Sequence, residues 1–209
     1  MPHRPFFGLI EAIRLGFSEA RANVADPAFG EVPVEHLLSE SHTADLRSRI
    51  DPDSRLDLSR GLELAVGSDT VYFSVVDGDG NACSFINSNY NGVGTGIVPR
   101  GCGFPLQNRG AGFSLDPSHP NVVAPNKRPY HTIIPAMMTD PNGDLYASYG
   151  VMGGWMQPQG HLQVAVGLLD DGLDPQAALD EPRFCISVDP PHGPVNLEEG
   201  LSEATIAAL

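Results

Sequence analysis

The sequence predicts an α+β fold, and three observations carry that prediction. Apolar residues near the start recur at helical spacing, two later stretches alternate like strands around Asp- and Gly-containing turns, and helical periodicity returns after the second stretch. The order helix, hairpin, hairpin, helix is compatible with two antiparallel sheets covered by helices.

In the first segment Phe6, Leu9, Ile10, Ile13, Phe17 and Ala20 are spaced as one buried helix face, which stops near Asp26-Pro27. A second helical patch runs from Val34 to Leu38. Ser41 is the expected N-cap of a third helix, His42 to Ile50, ended by Asp51-Pro52-Asp53. Residues 51–69 are polar, carry Pro52, Gly61 and Gly67, and read as loop. The stretch from Ser68 to Asn91 reads as a β-hairpin. Val71, Phe73 and Val75 alternate with Tyr72, Ser74 and Val76, Asp77 to Asn81 turns the chain, and Ala82 to Ser88 returns it.

Gly92-Val93-Gly94-Thr95-Gly96, with Gly101 and Gly103, suits backbone passing close to a ligand; no helix follows it, as a phosphate-cradling loop would require. Four prolines between 114 and 130 mark an ordered loop. Ile133 to Thr139 and Leu145 to Tyr149 form a second hairpin around Asp140 to Asp144. Met152-Gly153-Gly154-Trp155 opens into a helix whose expected apolar stripe is Leu162, Ala165, Val166 and Leu169, ended by Gly172. Asp174 caps a short helix from Pro175 to Asp180. Ile186 to Val188 and Val195 to Leu197 are strand candidates, and Ser202 caps a terminal helix.

A chain of 209 residues with 41% hydrophobic side chains can bury one good core or two modest ones. Twelve basic against 26 acidic residues give a net charge of −14, which argues against nucleic acid or an anionic membrane as partner and fits a small molecule better. No run approaches the ~18 apolar residues of a membrane span, and no signal-peptide pattern opens the chain. The compartment stays open. Three cysteines lack the CxxC spacing of a zinc site and leave one unpaired, and no His-Glu-x-x-His pattern occurs. Asp77 to Asn81 begins like a calcium loop, but Ala82 and Ser88 stand where that loop needs Gly and Glu. No metal or organic cofactor is implied. Gly-x-Ser-x-Gly is absent, which removes the usual serine-hydrolase elbow.

The residues from Thr70, Thr-x-x-x-Ser-Val-Val-Asp-x-Asp-Gly-Asn-Ala, resemble the start of the small subunit of γ-glutamyltransferases. The resemblance continues through Gly94-Thr95-Gly96-Ile97-Val98, Gly103, Asn108, Ala124 to Pro129, Gly153-Gly154 and Glu181-Pro182-Arg183-Phe184, and upstream through Ile10 to Phe17 and Val32 to Leu38. It implies the αββα sandwich of the N-terminal nucleophile hydrolases, incomplete in this chain. Residues 1–69 are then the end of a large subunit, and 70–209 are most of a small one. Autocleavage between Asp69 and Thr70 would free Thr70 as nucleophile, with Ser88 as the hydroxyl beside it and the Gly153 and Gly154 N–H groups as the oxyanion hole.

Four positions differ from the γ-glutamyl pattern. Gly112 stands where those enzymes place an Asp for the substrate's α-amino group, and His131-Thr132 replaces a Ser-Ser pair. Tyr90 takes the place of an Asn, and Arg109 that of a Gln or Glu. An acyl donor with a distal carboxylate and no α-amine fits this set, as in the cephalosporin-acylase-like branch. His131 either holds an anionic donor or bonds the backbone, and Trp155 reads as a packing residue.

The expected activity is transfer of a γ-glutamyl or related acyl group from an amide to water or an amine. A glutaryl-type acylase of the same mechanism is the alternative, and a catalytically dead binding remnant the rival from another class. The resemblance implies a fragment, whose expected partners are the remaining large-subunit segment, in a heterodimer of processed chains or a higher oligomer, and the amide substrate.

Overall fold

The computed structural model describes residues 6–56, 58, 70–186, 194–207 and 209. Asp69, Val188 and most of the loop before Thr70 lie outside the described residues. The chain is α+β, with two-stranded sheets among its helices, and divides into two compact units. One comprises Met1–Leu64, Gly110–Tyr130 and Ile186–Leu209, the other Ala65–Arg109 and His131–Cys185. The units interleave along the sequence, because each hairpin belongs to the second while the Pro-rich loop belongs to the first.

In the first unit, α1 (Phe6–Asn23) buries Phe6, Ile10, Leu15 and Phe17. It also buries Glu11 and Arg14, which the apolar spacing did not predict. Their charges lie 3.4 Å apart, and Glu11 also accepts the Leu56 N–H at 2.9 Å, so the buried carboxylate keeps polar partners. The short α2 (Val34–Leu37) leads to α3 (Glu40–Ser48). Here Ser39, not Ser41, is the cap: its hydroxyl accepts the His42 N–H at 3.2 Å, the third amide of a helix that begins at Glu40.

Polar anchors account for the order of the Pro-rich loop. Buried Asp26 accepts both the Arg128 N–H and its guanidinium at 2.8 Å, contacts that hold its carboxyl well below the usual range. Buried Asn121 donates to the Gly112 carbonyl at 2.6 Å and accepts the Tyr130 N–H at 3.0 Å. At the far end the chain adds β5 (Phe184–Ile186), whose last residue belongs to this unit, and β6 (Val195–Leu197). Ser202 accepts the Thr205 N–H at 3.1 Å ahead of α6 (Glu203–Ala207), as a cap should.

In the second unit, β1 (Thr70–Val76) and β2 (Ala82–Ser88) pair antiparallel without a slip, from Thr70 opposite Ser88 to Val76 opposite Ala82. The second hairpin pairs β3 (Ala136–Thr139) with β4 (Leu145–Tyr149) and carries an irregularity between Met138 and Thr139. Tyr72 links the hairpins, its hydroxyl lying 2.9 Å from Ser84 Oγ and 3.2 Å from Ser148 Oγ. Gly150 makes room for that ring, since a Cβ there would overlap it.

The core of this unit is built from α4 (Met156–Leu169) and α5 (Pro175–Asp180), with Val164, Leu168 and Ala178 at its centre and Met138, Tyr149, Val151 and Leu173 against it. The buried face of α4 is not the expected stripe. Leu169 is 60% exposed, whereas Gln157, Gln159, His161 and Gln163 are buried. Apolar periodicity missed that face because glutamines occupy much of it; the amide nitrogens of Gln159 and Gln163 find acceptors inside, whereas Gln157 Nε2 has no partner among the described residues. Gln163 accepts the Phe184 N–H at 2.9 Å and donates to the Phe184 carbonyl at 3.0 Å, fixing β5 beside the helix. Asp174 caps α5 as predicted, accepting the Ala177 N–H at 2.9 Å.

Candidate active site

Thr70 opens β1 and is buried, and the hairpin register alone sets its partner. Its hydroxyl donates to Ser88 Oγ at 3.1 Å, and Ser88 Oγ also accepts the Tyr90 N–H at 2.9 Å. Ser88 thus accepts twice and keeps its own proton to donate. The preceding residue, Asp69, lies outside the described residues.

Tyr90 is buried and has φ of 81°, a left-handed backbone that a residue with a Cβ adopts at a cost of about 1–3 kcal/mol. This conformation aims its N–H at Ser88 while its ring lies under Arg109, whose guanidinium carbon is 4.3 Å from the ring centroid. Arg109 is 4% exposed. It donates through Nη1 to the buried Thr132 Oγ1 at 2.6 Å, while Nη2 has no hydrogen-bond partner among the described residues. Burial lowers the Arg109 pKa and Tyr90 partly opposes it; the guanidinium stays charged at neutral pH.

His131 precedes Thr132 and is exposed, its Nδ1 accepting the Ile133 N–H at 3.4 Å. Partial desolvation, then the positive Arg109, lower its pKa. A neutral ring bonding the backbone therefore fits better than a cation holding an anion.

Thr70, Ser88, Tyr90, Arg109 and Thr132 thus form one connected chain of contacts. Gly153 and Gly154 form a separate turn in the same unit, with φ of 119° and 59°, and their carbonyls accept the Met156 and Gln157 N–H groups that start α4. Among the described residues neither glycine N–H has an acceptor. Trp155 behind them is buried, as a packing residue should be. Gly112 falls in the other unit, where a Cβ would come within 3.1 Å of the Tyr130 carbonyl.

Two organising residues carried no signal in the pattern of charges and apolar residues, and Asn108 entered the sequence reading only through the family resemblance. Asn108 accepts the Asn91 N–H at 3.0 Å and donates to the Asn91 and Gly94 carbonyls, closing the glycine loop beside Tyr90. Gln157 accepts the Ile134 N–H at 2.9 Å, tying the segment after Thr132 to the first turn of α4. Lone amides of this kind are invisible in a pattern of charges and apolar residues. Among the described residues no cluster of three His, Cys, Asp or Glu side chains is placed to hold a metal ion, and no helix is long and apolar enough to cross a membrane.

The family profile described as Gamma-glutamyltranspeptidase matches residues 6–209. The chain belongs to the gamma-glutamyltranspeptidase family. Within that family it is 41% identical over 176 residues to the glutathione hydrolase-like YwrD proenzyme of Bacillus subtilis, covering 84% of this chain and 33% of the relative. It is 36% identical over 178 residues to the oxamate amidohydrolase proenzyme of Klebsiella pneumoniae, covering 85% and 33%. A crystal structure of cephalosporin acylase from Bacillus halodurans superposes with a TM-score of 0.84 at 41% identity, over 97% of this chain and 36% of that one. This gamma-glutamyltranspeptidase-family chain therefore spans about a third of the length of the curated relatives it matches.

Proposed function

We propose that this chain carries the nucleophile-bearing part of an N-terminal nucleophile hydrolase that cleaves an amide through an acyl-enzyme on Thr70. The observation that carries this reading is the buried Thr70 hydroxyl, hydrogen-bonded at 3.1 Å to Ser88 across the open end of the hairpin. Maturation begins when Thr70 Oγ attacks the Asp69 carbonyl and the Asp69–Thr70 C–N bond breaks, which frees the Thr70 α-amino group; water then hydrolyses the resulting ester, releasing the Asp69 carboxylate and the Thr70 hydroxyl. That amine has an ordinary pKa of about 7.7–8.0, close enough to neutrality to take the proton from its own hydroxyl. Residues 1–69 and 70–209 are then the two maturation regions, a division that need not follow the compact units.

In turnover, Thr70 Oγ attacks the substrate amide carbon and its proton passes to the α-amine. The oxyanion is received by the Gly153 and Gly154 N–H groups, and removing one such donor typically costs about 10²–10³ in rate. The protonated α-amine then gives its proton to the departing amine. Water or a second amine opens the acyl-enzyme. The donor is a γ-glutamyl or related amide, and the working form is a heterodimer of processed chains completed by the rest of the large subunit. A glutaryl-type acylase with the same steps is the second reading, favoured by Gly112 and Arg109 and consistent with the cephalosporin acylase likeness.

Intact mass tests the proposal on the complete protein. Cleavage between Asp69 and Thr70 in the wild type and none in Thr70→Ala is the expected result. An uncut, inactive wild type would instead favour a binding remnant.

A further inference from the structure

We propose that Arg109 is the specificity anchor of the acyl donor, receiving a carboxylate carried by the acyl group, and that Tyr90 is the positioning residue that couples this anchor to the nucleophile. The inference rests on the acyl-enzyme reading above and names the donor class it takes, monoamides of dicarboxylic acids that lack an α-amine.

The argument starts from an unbalanced charge. Arg109 is 4% exposed, yet its neighbours are a phenol ring and a hydroxyl, both neutral. No carboxylate pairs with it among the described residues, and its buried Nη2 has no partner. Burying a cation without an anion is costly, so a site that retains one is prepared for an anion that arrives with a ligand. A packing role alone accounts poorly for the choice of residue, because an apolar side chain would fill the space beside Tyr90 without that cost.

The second observation points the same way. Tyr90 holds a left-handed backbone, and strain of this kind persists where surrounding structure over-determines it, often at ligand sites. Its N–H engages the same Ser88 oxygen that accepts from Thr70, and its ring supports the guanidinium. One strained residue therefore fixes both the hydroxyl pair and the cation. A planar guanidinium with an open Nη2 matches a carboxylate better than a point charge would. An ammonium on the same acyl group would be repelled by Arg109, and among the described residues no acidic side chain pairs with that arginine to offset the repulsion.

The test uses the complete protein and three anilide donors of equal chain length: glutaryl, γ-glutamyl and the uncharged pentanoyl. Glutaryl is expected to be the best donor. Arg109→Met should raise its KM by about 10- to 100-fold with kcat nearly unchanged, as loss of a charge-assisted hydrogen bond worth ~1.5–3 kcal/mol requires. Pentanoyl turnover should fall far less than glutaryl turnover, and Arg109→Lys should recover part of the glutaryl loss. Equal losses for glutaryl and pentanoyl would make Arg109 a structural residue and overturn the proposal, as would a wild type that prefers γ-glutamyl.

Calorimetric binding of glutarate to Thr70→Ala reads the anchor without catalysis. Binding that disappears when Arg109→Met is added supports the anchor even if autocleavage fails and the acyl-enzyme reading falls. Binding that is unchanged, or absent from both proteins, overturns the anchor even if autocleavage succeeds.

Discussion

The two hairpins of the second unit are closed by the same turn and end in different chemistry. In each, an Asp opens a five-residue loop, its Oδ1 accepts the N–H groups two and four residues on, and a glycine at the fourth position has positive φ: Gly80 at 83° and Gly143 at 92°. Both loops close with a backbone bond from the Asp N–H to the fifth carbonyl, at 3.0 Å for Asp77 and 2.8 Å for Asp140. The first hairpin then runs without a slip to Thr70 and Ser88, whereas the second shifts register between Met138 and Thr139 and presses Met138 and Tyr149 onto the α4 core.

Turn chemistry thus sets both hairpins alike, and the open end distinguishes them. A strand shifted by one residue turns every side chain to the other face, so regular pairing from Asp77 back to Thr70 keeps two hydroxyls facing each other. In the other hairpin a slip costs less, because packing on α4 sets the position of the strands.

The largest effect should come from the open end itself. Thr70→Ala is expected to abolish autocleavage and turnover of the complete protein, whereas Met137→Ala, on an exposed face of β3, should leave both intact. Intact mass reads both. Ser88→Ala removes the acceptor shared by Thr70 and Tyr90, and leaving the Tyr90 N–H unsatisfied should cost about 1–3 kcal/mol. Urea unfolding measures that cost, and Ser88→Thr, which restores a hydroxyl, should recover most of the maturation rate.

A sharper comparison replaces the turn glycines. Gly80→Val and Gly143→Val should each destabilise by about 1–2 kcal/mol, the penalty for a side chain in left-handed backbone. Only Gly80→Val should also slow autocleavage; an equal slowing by both would mean that the register of the first hairpin is not what holds the hydroxyl pair.

The smallest effect is in the acid limb. Hydrogen bonds hold both turn carboxyls below the usual range, led for Asp77 by the Asn81 side chain and for Asp140 by the Asp144 N–H. A depressed folded pKa contributes stability that is fully present above the unfolded value of about 3.9 and is lost as pH falls through the folded value. Asp77→Asn and Asp140→Asn should therefore each flatten the loss of Tm between neutral pH and acid, Asp77→Asn with the greater effect on maturation.

Both hairpins were legible because their signals are local: alternation, an Asp, and a glycine at a fixed offset. The cap at Asp174 was legible for the same reason. Ser39 and Ser41 are both acceptable caps by residue type, and only the helix start at Glu40 separates them. The α4 face was misread because Gln157, Gln159 and Gln163 are buried by partners that come from elsewhere in the chain, among them Ile134 and Phe184.

By itself the sequence determined the α+β class and the hairpins, which follow from order and spacing along the chain, and its resemblance to a known family singled out Thr70, Ser88, Tyr90 and Arg109. Tertiary structure decided what those residues do to one another. That Tyr90 takes a left-handed backbone, that its ring lies under a buried guanidinium, and that Arg109 spends one donor on Thr132 and keeps another open depend on segments 19 to 42 residues apart meeting in space. Side-chain packing of that kind obeys desolvation and hydrogen-bond geometry, and no local pattern of residue types encodes it.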